Sequence, residues 1–214
     1  MSDLDLLEYA ERPPAGDAAG VLVLMHGRGS SEQDLFPLLD MFDPEQRLWG
    51  FAPRGPLRLP PGGAHWYALG GIGTPDPDTF LDVYPRVDRW LRAVAEKTGV
   101  PGERTVIGGF SQGSVMSWAL GLGEGRPRPA GILAMSGFIP TVPGWSISLA
   151  PPLPRAAILH GSYDEMIRVE WGREAKETLE AAGADVVYLE SALAHSIDPR
   201  VLPDVQQWLL ETIP

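Results

Sequence analysis

The 214-residue chain contains no cysteine, which excludes disulfides, thiolate zinc sites and a cysteine nucleophile. It also lacks a long apolar run. The best candidate, VLVLM from Val21, falls far short of the roughly 18 residues of a membrane span and reads as a buried strand. Positive charge is scarce, with 17 Lys and Arg against 28 Asp and Glu and a formal net charge of −11. No basic stripe is present to meet a phosphate backbone, so nucleic acid is not an expected partner. An acidic surface of this kind mainly serves solubility. The opening MSDLDLLEYAERPP has no basic segment followed by an apolar core, so a secretory signal is not expected and a cytoplasmic address is the default. Neither GxxxxGK[ST] nor HExxH occurs, and HGRGSSE places Glu32 where a dinucleotide fingerprint wants a small residue. No cofactor and no metal are therefore expected. The nucleophile, if there is one, narrows to serine, threonine or a carboxylate.

What is present is an ordinary globular composition, 44% hydrophobic and 21% charged, without repeats, linkers or low-complexity tracts. Length and uniformity predict one domain over residues 1–214. Short apolar runs alternate with segments of helical period, the pattern of a mostly parallel sheet with helices on both faces. Four buried strands are expected at 21–25, 105–108, 131–135 and 156–159, with weaker candidates at 48–52 and 185–189 and an antiparallel edge strand in the opening LDLLEYAER. Phe80, Tyr84, Val87, Leu91 and Val94 step by 4, 3, 4 and 3, which predicts an amphipathic helix with Pro85 near its first turns. A further helix is expected over 168–182, ending at Gly183. The last helix should start at Asp198 as N-cap with Pro199 at its first position, Val201, Val205 and Trp208 sharing a face. Residues 54–78 and 137–154 read as long loops rich in Pro and Gly, candidates for the walls of a substrate pocket.

The stretch GFSQG puts Ser111 between two glycines. With 25 glycines in the chain the bare GxSxG match is cheap, so its context must decide. It directly follows the strand TVIGG and precedes the helix-capable SVMSWALGL, where Val115, Met116, Ala119 and Leu122 share one side. That is the strand-to-helix turn a nucleophile elbow requires, with glycines that let neighbouring backbone approach. The helix N-terminus favours a developing oxyanion, and the Gln112 amide is the natural first donor. A second donor is expected in the loop after an early strand, where VLVLMHGRGSSEQ offers the backbone amide of Arg28. The Arg28 side chain itself reads as solvated, or as a contact for an anionic substrate.

A serine hydroxyl needs a base, and the chain has four histidines: His26, His65, His160 and His195. His195, in SALAHSIDPR between the last strand and the last helix, is best placed. His26 and His160 sit in HG dipeptides at strand ends, where bracing of a turn is the simpler role, and His65 beside Trp66 and Tyr67 reads as pocket wall. The acid that orients the base is expected at Asp164 in HGSYDEMI, with Glu165 in reserve. The order Ser111, Asp164, His195 is that of α/β-hydrolases. Trp66, Phe138 and Ile167 are candidates for an apolar substrate pocket, against the plainer reading that they pack loops.

Together, HGRGSSEQDL, FAPRGP followed by HWY, GFSQGSVMSWAL, SGFIP, HGSYDEMI and AHSIDP resemble, in order and over nearly the whole chain, the phospholipase/carboxylesterase family of α/β-hydrolases, which includes acyl-protein thioesterases. The resemblance implies an α/β-hydrolase fold without a large cap domain, cofactor-independent cleavage of small-molecule esters or thioesters, and Ser111, Asp164 and His195 as triad. It is also compatible with a homodimer. This chain departs from the common pattern in HGRGSSEQD, in Ala194 where a glycine often precedes the histidine, and in Ser114 after the elbow. These positions border the acyl and leaving-group sites. Alternative uses of the same triad are acyl transfer, peptide cleavage and perhydrolysis, and a non-catalytic binding protein on the same fold is a further reading.

Overall fold

In the computed structural model, which describes residues 2–71 and 74–214, the chain builds a seven-stranded sheet. In chain order its elements begin with β1 (Tyr9–Arg12), β2 (Gly20–Met25), α1 (Phe36–Phe42) and β3 (Leu48–Pro53). Two small hairpins follow, β4 (Leu57–Leu59) with β5 (Gly63–His65) and β6 (Leu69–Gly71) with β7 (Thr74–Pro75). Then come α2 (Pro77–Thr98), β8 (Thr105–Phe110), α3 (Gln112–Leu122), β9 (Gly131–Met135), β10 (Arg155–Gly161), α4 (Val169–Ala181), β11 (Val186–Ser191) and α5 (Leu202–Thr212). The sheet order is β1-β3-β2-β8-β9-β10-β11, and only the edge strand β1 runs antiparallel to its neighbour.

Burial explains why the strand sequences do not alternate. Every residue of β2 and β9 is buried, because both faces of the sheet are covered. Val21, Val23 and Met25 point to one face, with Val115, Met116, Ala119 and Leu120 of α3 and Phe80, Val87 and Trp90 of α2. Leu22 and Leu24 point to the other, with Leu39 and Phe42 of α1 and Val205, Trp208 and Leu209 of α5. Helix α4 closes the first face farther along, setting Ala175 and Leu179 against Ile132, Ala134, Ala156 and Ile158. No helix among the described residues is long and apolar enough to cross a membrane.

The register decides which loops meet. Met25 pairs with Gly109, Phe110 with Met135, Met135 with Leu159, and Gly161 with Ser191. The chain segments after β2, β8, β9, β10 and β11 therefore all leave one edge of the sheet, as parallel strands require.

All six strands expected in the sheet form, along with the helices around 80–94 and 168–182. Five details differ from expectation. The opening LDLLEYAER is not one strand: Asp3–Leu6 is a 3-10 helix closed by a reciprocal cap between Ser2 and Asp5, and only Tyr9–Arg12 pairs with the sheet. Residues 54–78 carry two hairpins rather than a bare loop, and residues 72 and 73 of that segment lie outside the described residues. Pro85 is interior to α2, which starts eight residues earlier behind the Asp76 cap. Helix α3 is not one-sided, since all eleven of its residues are buried. The last helix opens as a 3-10 turn, Pro199–Val201, capped by Asp198, before continuing as α5.

Candidate active site

Ser111 occupies the single position between β8 and α3, with φ 55° and ψ −118°. This conformation is strained for a residue with a Cβ and persists only where the surroundings enforce it. Enforcement comes from both neighbours: the Ser111 N–H donates to the Met135 carbonyl at 2.9 Å, and its own carbonyl accepts the Val115 N–H at 3.1 Å. Gly113 explains the second glycine of the motif, because a Cβ there would collide with the Met25 carbonyl oxygen. The helix can start this close to β2 only without a side chain at that point.

Two loops farther along the same edge bring together a carboxylate and an imidazole. Asp164 follows β10 and its side chain is fully buried. One carboxylate oxygen accepts the N–H groups of Met166 at 3.0 Å and Ile167 at 2.8 Å, while the other accepts Nδ1–H of His195 at 2.6 Å. These bonds satisfy both oxygens of the buried side chain. They also assign the histidine's tautomer, leaving Nε2 as an acceptor. The His195 ring packs on Phe110, the residue before Ser111, with centroids 4.7 Å apart. Asp164, and not the exposed Glu165, therefore meets His195.

Arg28 and Gln112, whose amides are the expected oxyanion donors, both line the cavity that contains Ser111. Among the described residues, neither the Arg28 nor the Gln112 N–H has another hydrogen-bond acceptor. The loop bearing Arg28 is braced from beneath by His26. Its Nδ1–H donates to the Gly27 carbonyl at 2.7 Å and its Nε2 accepts the Gly55 N–H at 2.9 Å, a pairing that only the neutral ring can make. Burial lowers the pKa of His26, partly offset by the bond to the Gly27 carbonyl. Glu32, farther along the loop, bonds Arg54 at 3.0 Å. Burial works against its charge, but the arginine prevails and holds the carboxyl below its ordinary range. His160 likewise braces a turn, donating from Nε2 to the Ile167 carbonyl at 2.8 Å.

The cavity at Ser111 measures about 290 Å³, and its apolar walls come from Tyr67, Leu69, Phe138, Met166 and Ile167. Phe138 and Ile167 are thus where the sequence places them. Trp66 is not: it is fully buried, with its indole N–H donated to the His26 carbonyl at 2.8 Å, and belongs to the core. A buried indole needs an acceptor, and the early loop provides one. His65 is also absent from the cavity wall, its Nδ1 bonding the Tyr67 carbonyl at 3.0 Å within the β5 region. Sequence reasoning missed Tyr67, Leu69 and Met166. It also missed the Gln112 side chain, which accepts the Trp66 N–H at 2.9 Å and donates to the Tyr67 carbonyl at 2.7 Å, fixing that wall. Among the described residues no group of three or more His, Asp or Glu is arranged to hold a metal ion.

A mostly parallel sheet with a strained serine turn after one inner strand, and a hydrogen-bonded Asp–His pair after two others, defines the α/β-hydrolase class. The model of the phospholipase/carboxylesterase family matches residues 11–213, so the chain belongs to that family of carboxylic ester hydrolases. Among its relatives, acyl-protein thioesterase 1 of Yarrowia lipolytica is 27% identical over 228 residues, covering 95% of this chain and 97% of that one. Esterase YpfH of Escherichia coli is 26% identical over 96% of this chain and 88% of its own. A Bacillus cereus carboxylesterase shares the fold at TM-score 0.83 and 21% identity, covering 96% of this chain and 94% of that chain.

Proposed function

We propose that this chain cleaves carboxylic esters or thioesters through an acyl-enzyme on Ser111, with His195 as general base and Asp164 as its orienting acid. The observation that carries the reading is the 2.6 Å bond between His195 and Asp164 at the edge where Ser111 is held in a strained turn. Ser111 Oγ attacks the carbonyl carbon as His195 Nε2 takes its proton, and the carbonyl oxygen becomes an oxyanion facing the amides of Arg28 and Gln112. Collapse of this intermediate expels the alcohol or thiol, protonated by His195. Water, deprotonated by His195, then attacks the acyl-serine, and as this second intermediate collapses His195 returns the proton to Ser111 Oγ and the acid is released. Each oxyanion donor accounts for about 100- to 1000-fold in rate.

The test is direct. The parent protein should react covalently with a fluorophosphonate and hydrolyse activated esters, and Ser111→Ala should do neither. Unchanged ester turnover in Ser111→Ala, or a parent protein inert to the probe, refutes the assignment.

A further inference from the structure

Phe138 stands between two spaces. On one side is the cavity of about 290 Å³ at Ser111. On the other is a groove of about 520 Å³ between the segment after β9 and helix α4, lined by Ile139, Thr141, Ile147, Trp171, Glu174 and Thr178 among others. Among the described residues Phe138 is the one that lines both. Its ring meets Trp171 edge-on, with centroids 4.6 Å apart and planes at 66°, a favoured aromatic arrangement.

Both members of this pair are held by rigid elements. The backbone before Phe138 is pinned against α3, since a Cβ on Gly137 would collide with Ser114 Oγ, and Ser136 N–H donates to the Leu159 carbonyl at 2.8 Å. Trp171 rides on α4, which Val169, Ala175 and Leu179 anchor in the core. The Phe138 ring is therefore a fixed wall and not a loose loop side chain.

We infer that Phe138, backed by Trp171, is a partition that confines the acyl group to the smaller cavity and makes this chain selective for short acyl esters, with the groove behind it a latent extension of the acyl site. The inference rests on Ser111 being the nucleophile. Its physical basis is the lost gain beyond the partition: each added methylene improves transition-state binding only while apolar surface is available to cover it. The cavity at Ser111, about 290 Å³, lies just below the range of about 300–1,000 Å³ typical of small-molecule sites. Beyond it, Ile139, Ile147 and Trp171 offer apolar cover to a longer chain once the ring is removed.

The experiment measures kcat/KM for p-nitrophenyl esters of the even-numbered saturated acids from butanoate to hexadecanoate. It compares the parent, Phe138→Leu, Phe138→Ala, Thr141→Trp and the double variant Phe138→Ala/Thr141→Trp. Fluorophosphonate labelling counts competent sites in each. The parent should prefer short chains. Phe138→Ala should raise the dodecanoate-to-butanoate ratio roughly tenfold or more, the scale of pocket discrimination by methylene groups, with Phe138→Leu between the two. Thr141, exposed and lining the groove but not the cavity at Ser111, should matter only when the partition is open. Thr141→Trp alone should leave the parent profile unchanged and should cancel the gain in the double variant. If Phe138→Ala does not fold, Phe138→Leu carries the comparison. A parent that prefers long chains, or a profile unmoved in labelled Phe138 variants, overturns the partition while leaving the nucleophile assignment standing. A parent that does not label overturns that assignment first.

Discussion

His195 Nδ1 lies 2.6 Å from Asp164 Oδ2, while the other oxygen of Asp164 is held by the backbone N–H groups of Met166 and Ile167. The carboxylate is fastened by its own turn, and the imidazole is fastened by the carboxylate. Asp164→Asn keeps the size of the side chain but presents an amide to His195, which favours the wrong tautomer. The expected result is a fall in kcat of about 10,000-fold with labelling by fluorophosphonate slowed in parallel. Circular dichroism and a melting curve close to the parent's would show that the loss is chemical. An activity drop under tenfold would mean that Asp164 does not orient the base.

His26 gives the fold a pH dependence with a definite sign. Its folded pKa lies below the ordinary value of 6.5 because the ring is buried, and protonation would place a proton where Nε2 accepts the Gly55 N–H. The unfolded chain takes up that proton near 6.5 and the folded chain only at lower pH. The contribution to stability is thus complete above about 6.5 and is lost as pH falls through the folded value. Urea midpoints measured from about pH 8 to about pH 5 should decline for the parent and decline less steeply for His26→Gln. Equal slopes in the two proteins would exclude His26 as the source.

Gln112 has two separable jobs. Its backbone amide is the proposed oxyanion donor beside Ser111, whereas its side chain joins α3 to Trp66 and Tyr67. Gln112→Ala keeps the amide and removes the clamp, leaving the buried Trp66 N–H without a partner at a cost of about 1–3 kcal/mol. Urea denaturation should register that loss, and KM should rise because the Tyr67 wall is freed. A fall in kcat as deep as that of Ser111→Ala would contradict the separation.

Much of the fold was legible because the inner strands are buried on both faces, so VLVLM, TVIGG and GILAM read as short continuous apolar runs. Helix α1 was not, since FPLLDMF is seven residues long and has no side-chain N-cap. The one-sided reading of α3 failed for a related reason: neighbours on every side bury it, and spacing cannot count neighbours. At the site, the meeting of Asp164 with His195 at the sheet edge that carries the Ser111 turn was legible from the loops that hold them. Trp66 and His65 were misplaced because position in a Pro- and Gly-rich loop does not tell which way a ring turns; an acceptor at the His26 carbonyl drew the indole inward. Leu69 and Met166, 53% and 68% exposed, have no periodicity to mark them as cavity wall.

By itself the sequence determined the element pattern, the strand-to-helix turn at Ser111 and the loops that carry Asp164 and His195, because burial, glycine spacing and helix signals are local properties. The tertiary structure decided which carboxylate meets His195, which residues line the cavity with Ser111, and where Phe138 stands between two spaces. Those are distances between residues far apart in the chain. They are set by strand register and by helices packed against the sheet, and no single segment carries that information.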